Sequence, residues 1–255
     1  MITDAYDPCS EPIITPASFH GERKKLYDVA IGTFSGEIHS AVLDMYPHEQ
    51  IGELRAVNWV RPVYTIEADG ARFVFYLSEI GSCMASEDVI EINHTTGAGH
   101  FVLFGSAGAL APDVTSGKYV IPTSAYRDEG MSYHYAPPAD YIRIKNADLV
   151  ADVFGKASVP FVRGRVWTTD ALYMETKDKV KRRKAEGCIA VEMELAGVQA
   201  VCDHYGIELY HFLMTGDVVD QPDYTPEGLS EANHEMNNFF NALKIAHSID
   251  PHKSE

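Results

Sequence analysis

"CIAVEMELAGVQAVCDHYGIELYHFLMTGD" (residues 188–217) is the stretch whose reading decides the fold. Its opening apolar run, Cys188 to Val191, has the length and branching of a buried strand. Leu195 to Gly206 then reads as a helix, and Ile207 to Asp217 as a second strand. Strands alternating with helices indicate an α/β fold with a largely parallel central sheet. Two carboxylates, Glu192 and Glu194, flank Met193 at the junction of the first strand and the helix. Burying ionised carboxylates without partners is costly, so the pair must hold something.

The same alternation extends to both sides. "YDVAIG" (27–32) reads as a first buried strand and "GEIHSAVLDMY" (36–46) as the helix behind it. Residues 62–81 read as a hairpin turning on Asp69-Gly70, and 86–97 as a helix capped by Ser86 and stopped at Gly97. "HFVLFGSAGAL" (100–110) reads as a strand entering a tight glycine turn. Strands at 118–127 and 160–170 follow, with helices at 146–157 and 176–187 and one closing helix over 228–249. The expected architecture is an α/β single domain with a central mixed, largely parallel sheet flanked by helices, covering residues 28–250. Residues 1–27 form an N-terminal extension, expected at a subunit interface. In such sheets ligands gather at the carboxyl ends of the strands. Those ends carry Gly32–Glu37, Gly105–Gly108, Thr168–Tyr173, Glu192–Glu194 and Thr215–Asp220.

Composition narrows the function. The 255 residues carry 21 basic against 37 acidic side chains, a formal charge of −16. Nucleic-acid polymers and anionic membranes demand a basic footprint and are poor partners for such a surface. The acidic start lacks the basic and apolar regions of a signal peptide, and Cys9, Cys83, Cys188 and Cys202 form no CxxC pair. Reduced thiols in a cytoplasmic protein are therefore expected. His134 and the other histidines show no metal-ligand spacing, so no metal is expected. The run "KDKVKRRK" (177–184) reads as a solvated helix face.

Each candidate has a plainer reading. "FGSAG" (104–108) is either an anion cradle, with Ser106 adding a hydroxyl, or an ordinary strand exit. It is not a Walker loop, a GxGxxG fingerprint or a GxSxG elbow. Glu192 and Glu194 either cap the next helix or aim two acceptors at a vicinal diol. Asp217 is either a cap or a general acid.

Taken jointly, "GSAGALAPDVTSGKYVIP", "AYRDEGMSYHY", "TTDALY", "AVEMELAG" and "TGDVVDQ" resemble, in order and spacing, the nucleoside phosphorylase and nucleosidase family. That family includes uridine phosphorylases, hexameric purine nucleoside phosphorylases and methylthioadenosine/S-adenosylhomocysteine nucleosidases. The resemblance implies ribose binding by Glu192, Met193 and Glu194, with Glu194 on the 2′- and 3′-hydroxyls. It implies Asp217 as the acid that protonates a purine at N7, and a base pocket of Ala107, Gly108, Leu172 and Tyr173. Gly32, Ser35, Arg61 and Ser106 would handle phosphate. Arg61 matches an arginine lent by a neighbouring subunit, and His20 is a candidate for the 5′ end of the sugar. Relatives are dimers or hexamers, so a homo-oligomer is expected.

Departures from the pattern shape the finer expectation. Thr176 and Asp178 stand where uridine phosphorylases read uracil with glutamine and arginine, which argues against uracil, and Asp217 favours a purine. The Gly-Asp-Pro-x-Arg loop is replaced by Gly32-Thr33-Phe34-Ser35-Gly36, and Leu103 replaces a second arginine. Glu37 matches the nucleosidase carboxylate that activates water. The expected reaction is phosphorolysis of a purine nucleoside to base and ribose 1-phosphate, with inorganic phosphate as co-substrate and no cofactor. The alternative is hydrolysis by water activated at Glu37. A nucleoside-binding protein without turnover is the reading from another class.

Overall fold

The computed structural model describes residues 1–219 and 224–251. Among the described residues ten strands build one sheet: β1 (Val29–Thr33), β2 (His48–Ala56), β3 (Trp59–Ala68), β4 (Ala71–Leu77), β5 (His100–Ala109), β6 (Tyr119–Asp128), β7 (Tyr141–Arg143), β8 (Phe161–Thr169), β9 (Cys188–Glu192) and β10 (Glu208–Val218). The helices are α1 (Pro16–His20), α2 (Gly36–Met45), α3 (Ser82–Thr96), α4 (Pro112–Thr115), α5 (Ser132–Tyr135), α6 (Ala147–Lys156), α7 (Lys177–Ala185), α8 (Leu195–Tyr205), α9 (Leu229–His234) and α10 (Asn237–Ile249).

The sheet is mixed. β1 runs parallel to β4 and β5, and β10 parallel to β5; β2, β3 and β4 form an antiparallel meander at one edge. Beyond β5 the pairings β5–β10, β10–β6, β6–β8, β8–β9 and β9–β5 return to their start. The sheet thus closes on itself, and β5 pairs with three strands. The ends of β5, β9 and β10 converge at that closure.

Period-two alternation sorts the core into two layers. Ala30 of β1, Val74 of β4, and Phe101 and Leu103 of β5 face α3 and α8 through Ala85, Val89, Ile92, Ala196 and Val198. Val29, Ile31, Phe73, Phe75, Val102 and Phe104 face α2, α6 and α10 through Ile38, Val42, Phe154, Phe239 and Ala242. Each such fully buried side chain contributes on the order of 1.5–3 kcal/mol of burial.

Several local expectations are corrected. The helix expected from Ser86 begins at Ser82 behind a Gly81 with φ of 96°, and Ser86 is buried within it. Cys83, Met84 and Ala85 are compatible with helix, and nothing before Gly81 stops it running back. The glycine turn after residue 104 is absent: β5 runs unbroken to Ala109, and neither Gly105 nor Gly108 has positive φ. These glycines serve close approach instead. A Cβ on Gly105 would lie 3.1 Å from Phe34, and one on Gly108 would lie 2.5 Å from Val219. Strand β2 carries no apolar run in the sequence, since its residues are mostly polar and exposed, as suits an edge. The closing helix over 228–249 is two helices, divided at Glu235 and Met236. Cys9, Cys83, Cys188 and Cys202 are free thiols, and among the described residues no helix is long and apolar enough to cross a membrane.

Candidate active site

A cavity of about 420 Å³ opens where β5, β9 and β10 converge. Glu192, Met193 and Glu194 lie on its wall with Ser106, Ala107, Gly108 and Asp217, and Leu172 stands at its mouth. Asp217 is buried, at 7% exposure, and its Oδ1 lies 3.7 Å from where a Gly108 Cβ would stand. The notable outcome is that residues from the middle and the far end of the chain share this one hollow.

The paired glutamates divide the two readings between them. Glu192 ends β9, and its Oε2 accepts from the amides of Glu194 at 2.8 Å and Leu195 at 2.7 Å. Its Oε1 accepts from the Thr168 hydroxyl. Glu192 is therefore the cap of α8, with three acceptor sites filled. Glu194 is held by the Gly81 amide at 2.7 Å, at the positive end of α3, and by its neighbour Met193 at 3.3 Å. A carboxylate offers about four acceptor sites. Glu194 keeps two of them open, the number a vicinal diol fills. Burial raises the pKa of both acids, and the nearby Glu194 charge raises that of Glu192 further.

Polar residues outside the sequence-derived set also line the wall: Glu175, Tyr224, Asn233, His234 and Asn238. Burial, and after it the Asp217 charge, push Glu175 up to about 7, against the opposing pull of Lys179. Burial, and after it the Asp217 carboxylate, push the Tyr224 hydroxyl up to about 12. From α9, Asn233 accepts from Ser106 Oγ, and His234 Nδ1 lies 2.7 Å from Ser35 Oγ. Glu175 ends a short turn before a charged run, and α9 hides inside what reads as one long helix. The acid at position 175 beside "TTDALY" was the only available signal.

α9 reaches the cavity through a glycine contact. Gly228 has φ of 85°, and a Cβ there would lie 2.7 Å from the Gly216 carbonyl oxygen. A Cβ on Gly216 would lie 2.8 Å from Leu229 Cα. Side chains at either position would lift α9 away from β10.

The remaining expected residues divide between the wall and other places. Thr33 and Ser35 are on the cavity wall, whereas Gly32 sits within β1, where a Cβ would lie 2.5 Å from Leu103 and 2.6 Å from Tyr76. Glu37 points outward from α2, 75% exposed, with Oε1 3.5 Å from His234 Nε2. Arg61 is turned into its own chain. It bonds Asp88 at 2.7 Å, lies 3.3 Å from Glu79, donates to the Leu77 carbonyl and stacks on Trp59. His20 lies 3.3 Å from Glu91 on α3, and Tyr173 is almost fully exposed. Thr176 and Asp178 form the cap and first turn of α7, off the wall. Asp220 lies outside the described residues.

A family model described as the phosphorylase superfamily matches residues 30–246. The chain belongs to the phosphorylase superfamily. The resemblance to nucleoside phosphorylases and nucleosidases drawn from the five motifs therefore holds. A DeoD-type purine nucleoside phosphorylase from Caldanaerobacter subterraneus is similar at 27% identity, covering 87% of this chain and 99% of that protein. The fold matches a Campylobacter jejuni 5′-methylthioadenosine/S-adenosylhomocysteine nucleosidase with a TM-score of 0.70 at 18% identity, covering 87% of this chain and 99% of that one. It also matches a Toxoplasma gondii purine nucleoside phosphorylase in complex with immucillin-H, with a TM-score of 0.71 at 19% identity, covering 87% and 90% respectively. This member of the superfamily places its polar groups where the sheet closes, on the wall that β5, β9 and β10 provide.

Proposed function

We propose that this phosphorylase-superfamily chain cleaves the N-glycosidic bond of a purine nucleoside, with water as the nucleophile, to release the base and free ribose. The observation that supports this reading is the charge of the cavity. Its wall carries Glu175, Glu192, Glu194 and Asp217, and among the described residues no lysine or arginine. Glycosidic cleavage passes through an oxocarbenium-like state, whose positive charge carboxylates stabilise. A neutral nucleophile enters such a site without penalty. Phosphate dianion wants charge-assisted partners, and Arg61 is committed to Asp88 and Glu79.

In this reading Glu194 binds the ribose diol with its two open acceptor sites. Asp217 protonates the departing base, and Glu175 beside it retains a proton for the pair near neutrality. The absence of Thr176 and Asp178 from the wall speaks against a uracil-reading device at those positions.

Phosphorolysis is the second reading. The purine nucleoside phosphorylase relatives favour it, as do the Thr33, Ser35 and Ser106 side chains on the wall. Incubation with a panel of purine nucleosides, with and without phosphate, separates the two. Free ribose formed at a rate indifferent to phosphate is the expected result. Strict dependence on phosphate, with ribose 1-phosphate as product, overturns the water reading.

A further inference from the structure

The loop after β1 and the helix α9 are 199 residues apart in sequence, yet they meet in one short hydrogen bond between Ser35 Oγ and His234 Nδ1, 2.7 Å long. Both residues line the cavity, and His234 is the basic side chain on its described wall. Ser35 is the N-cap of α2, so its Oγ also accepts from the Ile38 amide at 3.1 Å. On its other side the ring places Nε2 3.5 Å from Glu37 Oε1. A carboxylate facing Nε2 favours the tautomer with the proton there, which leaves Nδ1 bare to accept the Ser35 hydroxyl proton. Ser35 Oγ then has one lone pair filled by Ile38 and one still open toward the cavity.

We propose that Ser35, His234 and Glu37 form a proton relay that activates the attacking water; the proposal rests on the hydrolytic reading above. A water in the cavity donates to the open lone pair of Ser35 Oγ. As its oxygen bonds to C1′ of the ribose, its proton passes to Ser35 Oγ while Ser35 gives its own proton to His234 Nδ1. The C1′–N bond breaks, and its electron pair leaves with the base, which takes a proton from Asp217. The sugar gains hydroxide and the base gains hydrogen, and solvent later carries the proton from His234 back to Asp217. Glu37 never touches substrate. It is a positioning residue that fixes the tautomer and balances the imidazolium, which accounts for a mostly exposed acid directed at a cavity histidine.

The test uses the full chain in phosphate-free buffer with a purine nucleoside, comparing wild type, His234→Ala, His234→Asn and Ser35→Ala. His234→Ala is expected to lower kcat about 100-fold, the usual scale of a general base, with KM changed less than about threefold. Added imidazole, entering the space left in the cavity wall, is expected to restore a substantial part of that kcat. His234→Asn keeps a polar group near Ser35 without a base and is expected to be as slow as His234→Ala. Ser35→Ala is expected to be as slow and to gain nothing from imidazole. Near-wild-type kcat in either His234 variant, or a loss that imidazole does not relieve, overturns the relay. A wild-type enzyme that releases no base without phosphate refutes the hydrolytic reading itself, whatever the variants do.

Discussion

Replacing Glu194 with glutamine tests the ribose assignment most directly, because the structure sets both the size and the selectivity of the effect. Glu194 has two acceptor sites filled by Gly81 and Met193 and two open. A hydrogen bond to a charged group contributes roughly 1.5–3 kcal/mol, and a diol would make two. The amide keeps a single acceptor oxygen, which the Gly81 amide at 2.7 Å would claim first. Taking the low end for each lost bond gives about 3 kcal/mol, or about 100-fold in kcat/KM for a riboside. A 2′-deoxyriboside has one of the two bonds to lose, so its penalty is about 10-fold. The fold should tolerate the change, since glutamine matches glutamate in shape and its carbonyl oxygen can keep the Gly81 bond. The assay is base release from a purine riboside and its 2′-deoxy counterpart, with circular dichroism as the folding control. Equal penalties on the two substrates, in a protein that remains folded, would refute the diol argument.

Three further outcomes follow from the same geometry. Asp217→Asn should lower kcat by about 100-fold or more while leaving nucleoside binding intact, as loss of a general acid does; binding by equilibrium dialysis alongside turnover checks it. Glu175 carries a sign that can be measured. Its folded value, about 7, lies above the ordinary glutamate value of 4.5, so the fold favours the protonated acid and the stability it adds is present at low pH and lost as pH rises through about 7. The melting temperature of Glu175→Gln should therefore fall less between pH 5 and 8 than that of wild type, and parallel curves would show that Glu175 is not the responsible group. Gly216→Ala would place a Cβ 2.8 Å from Leu229 Cα and 2.9 Å from the Ala232 Cβ. Overpacking of this kind costs about 1–3 kcal/mol, and displacement of α9 should reduce kcat further than the melting shift alone implies.

What could be read in the sequence follows from how each feature is encoded. Strands β1, β5 and β10 are dense apolar runs ending in glycine or acid, so their type and their meeting point are legible in the sequence alone. Glu192, Glu194 and Asp217 were legible for the same reason: a carboxylate at the end of a buried strand is conspicuous. The division of labour between the two glutamates was not, because it depends on Thr168 and Gly81, which reach them only through the sheet closure and α3. His234 and Asn233 were hidden in a helical pattern that the Glu235–Met236 break divides. Glu37 and Arg61 show the converse limit. Spacing can match a position, but the direction of a long side chain depends on its neighbours: Asp88 turns Arg61 inward, and Glu37 lies on the solvent side of His234.

The acidity of the whole chain and the acidity of the cavity are separate facts, and only the second bears on the chemistry. A surface charge of −16 is screened beyond about 10 Å at moderate salt and could coexist with a basic pocket. Here the buried wall is itself acidic, and different devices hold its carboxylates: backbone amides at the start of α8 for Glu192, the N-terminus of α3 for Glu194 and the opposing Lys179 for Glu175. Those devices make it possible to keep Glu175, Glu192 and Glu194 where burial disfavours their charge, at a cost the fold must offset elsewhere. A cavity built this way repays that cost when positive charge develops inside it. A ribosyl cation forming beside Glu194, as a base departs past Asp217, is such a charge, and it is the one chemical event that gives all four acids a common purpose.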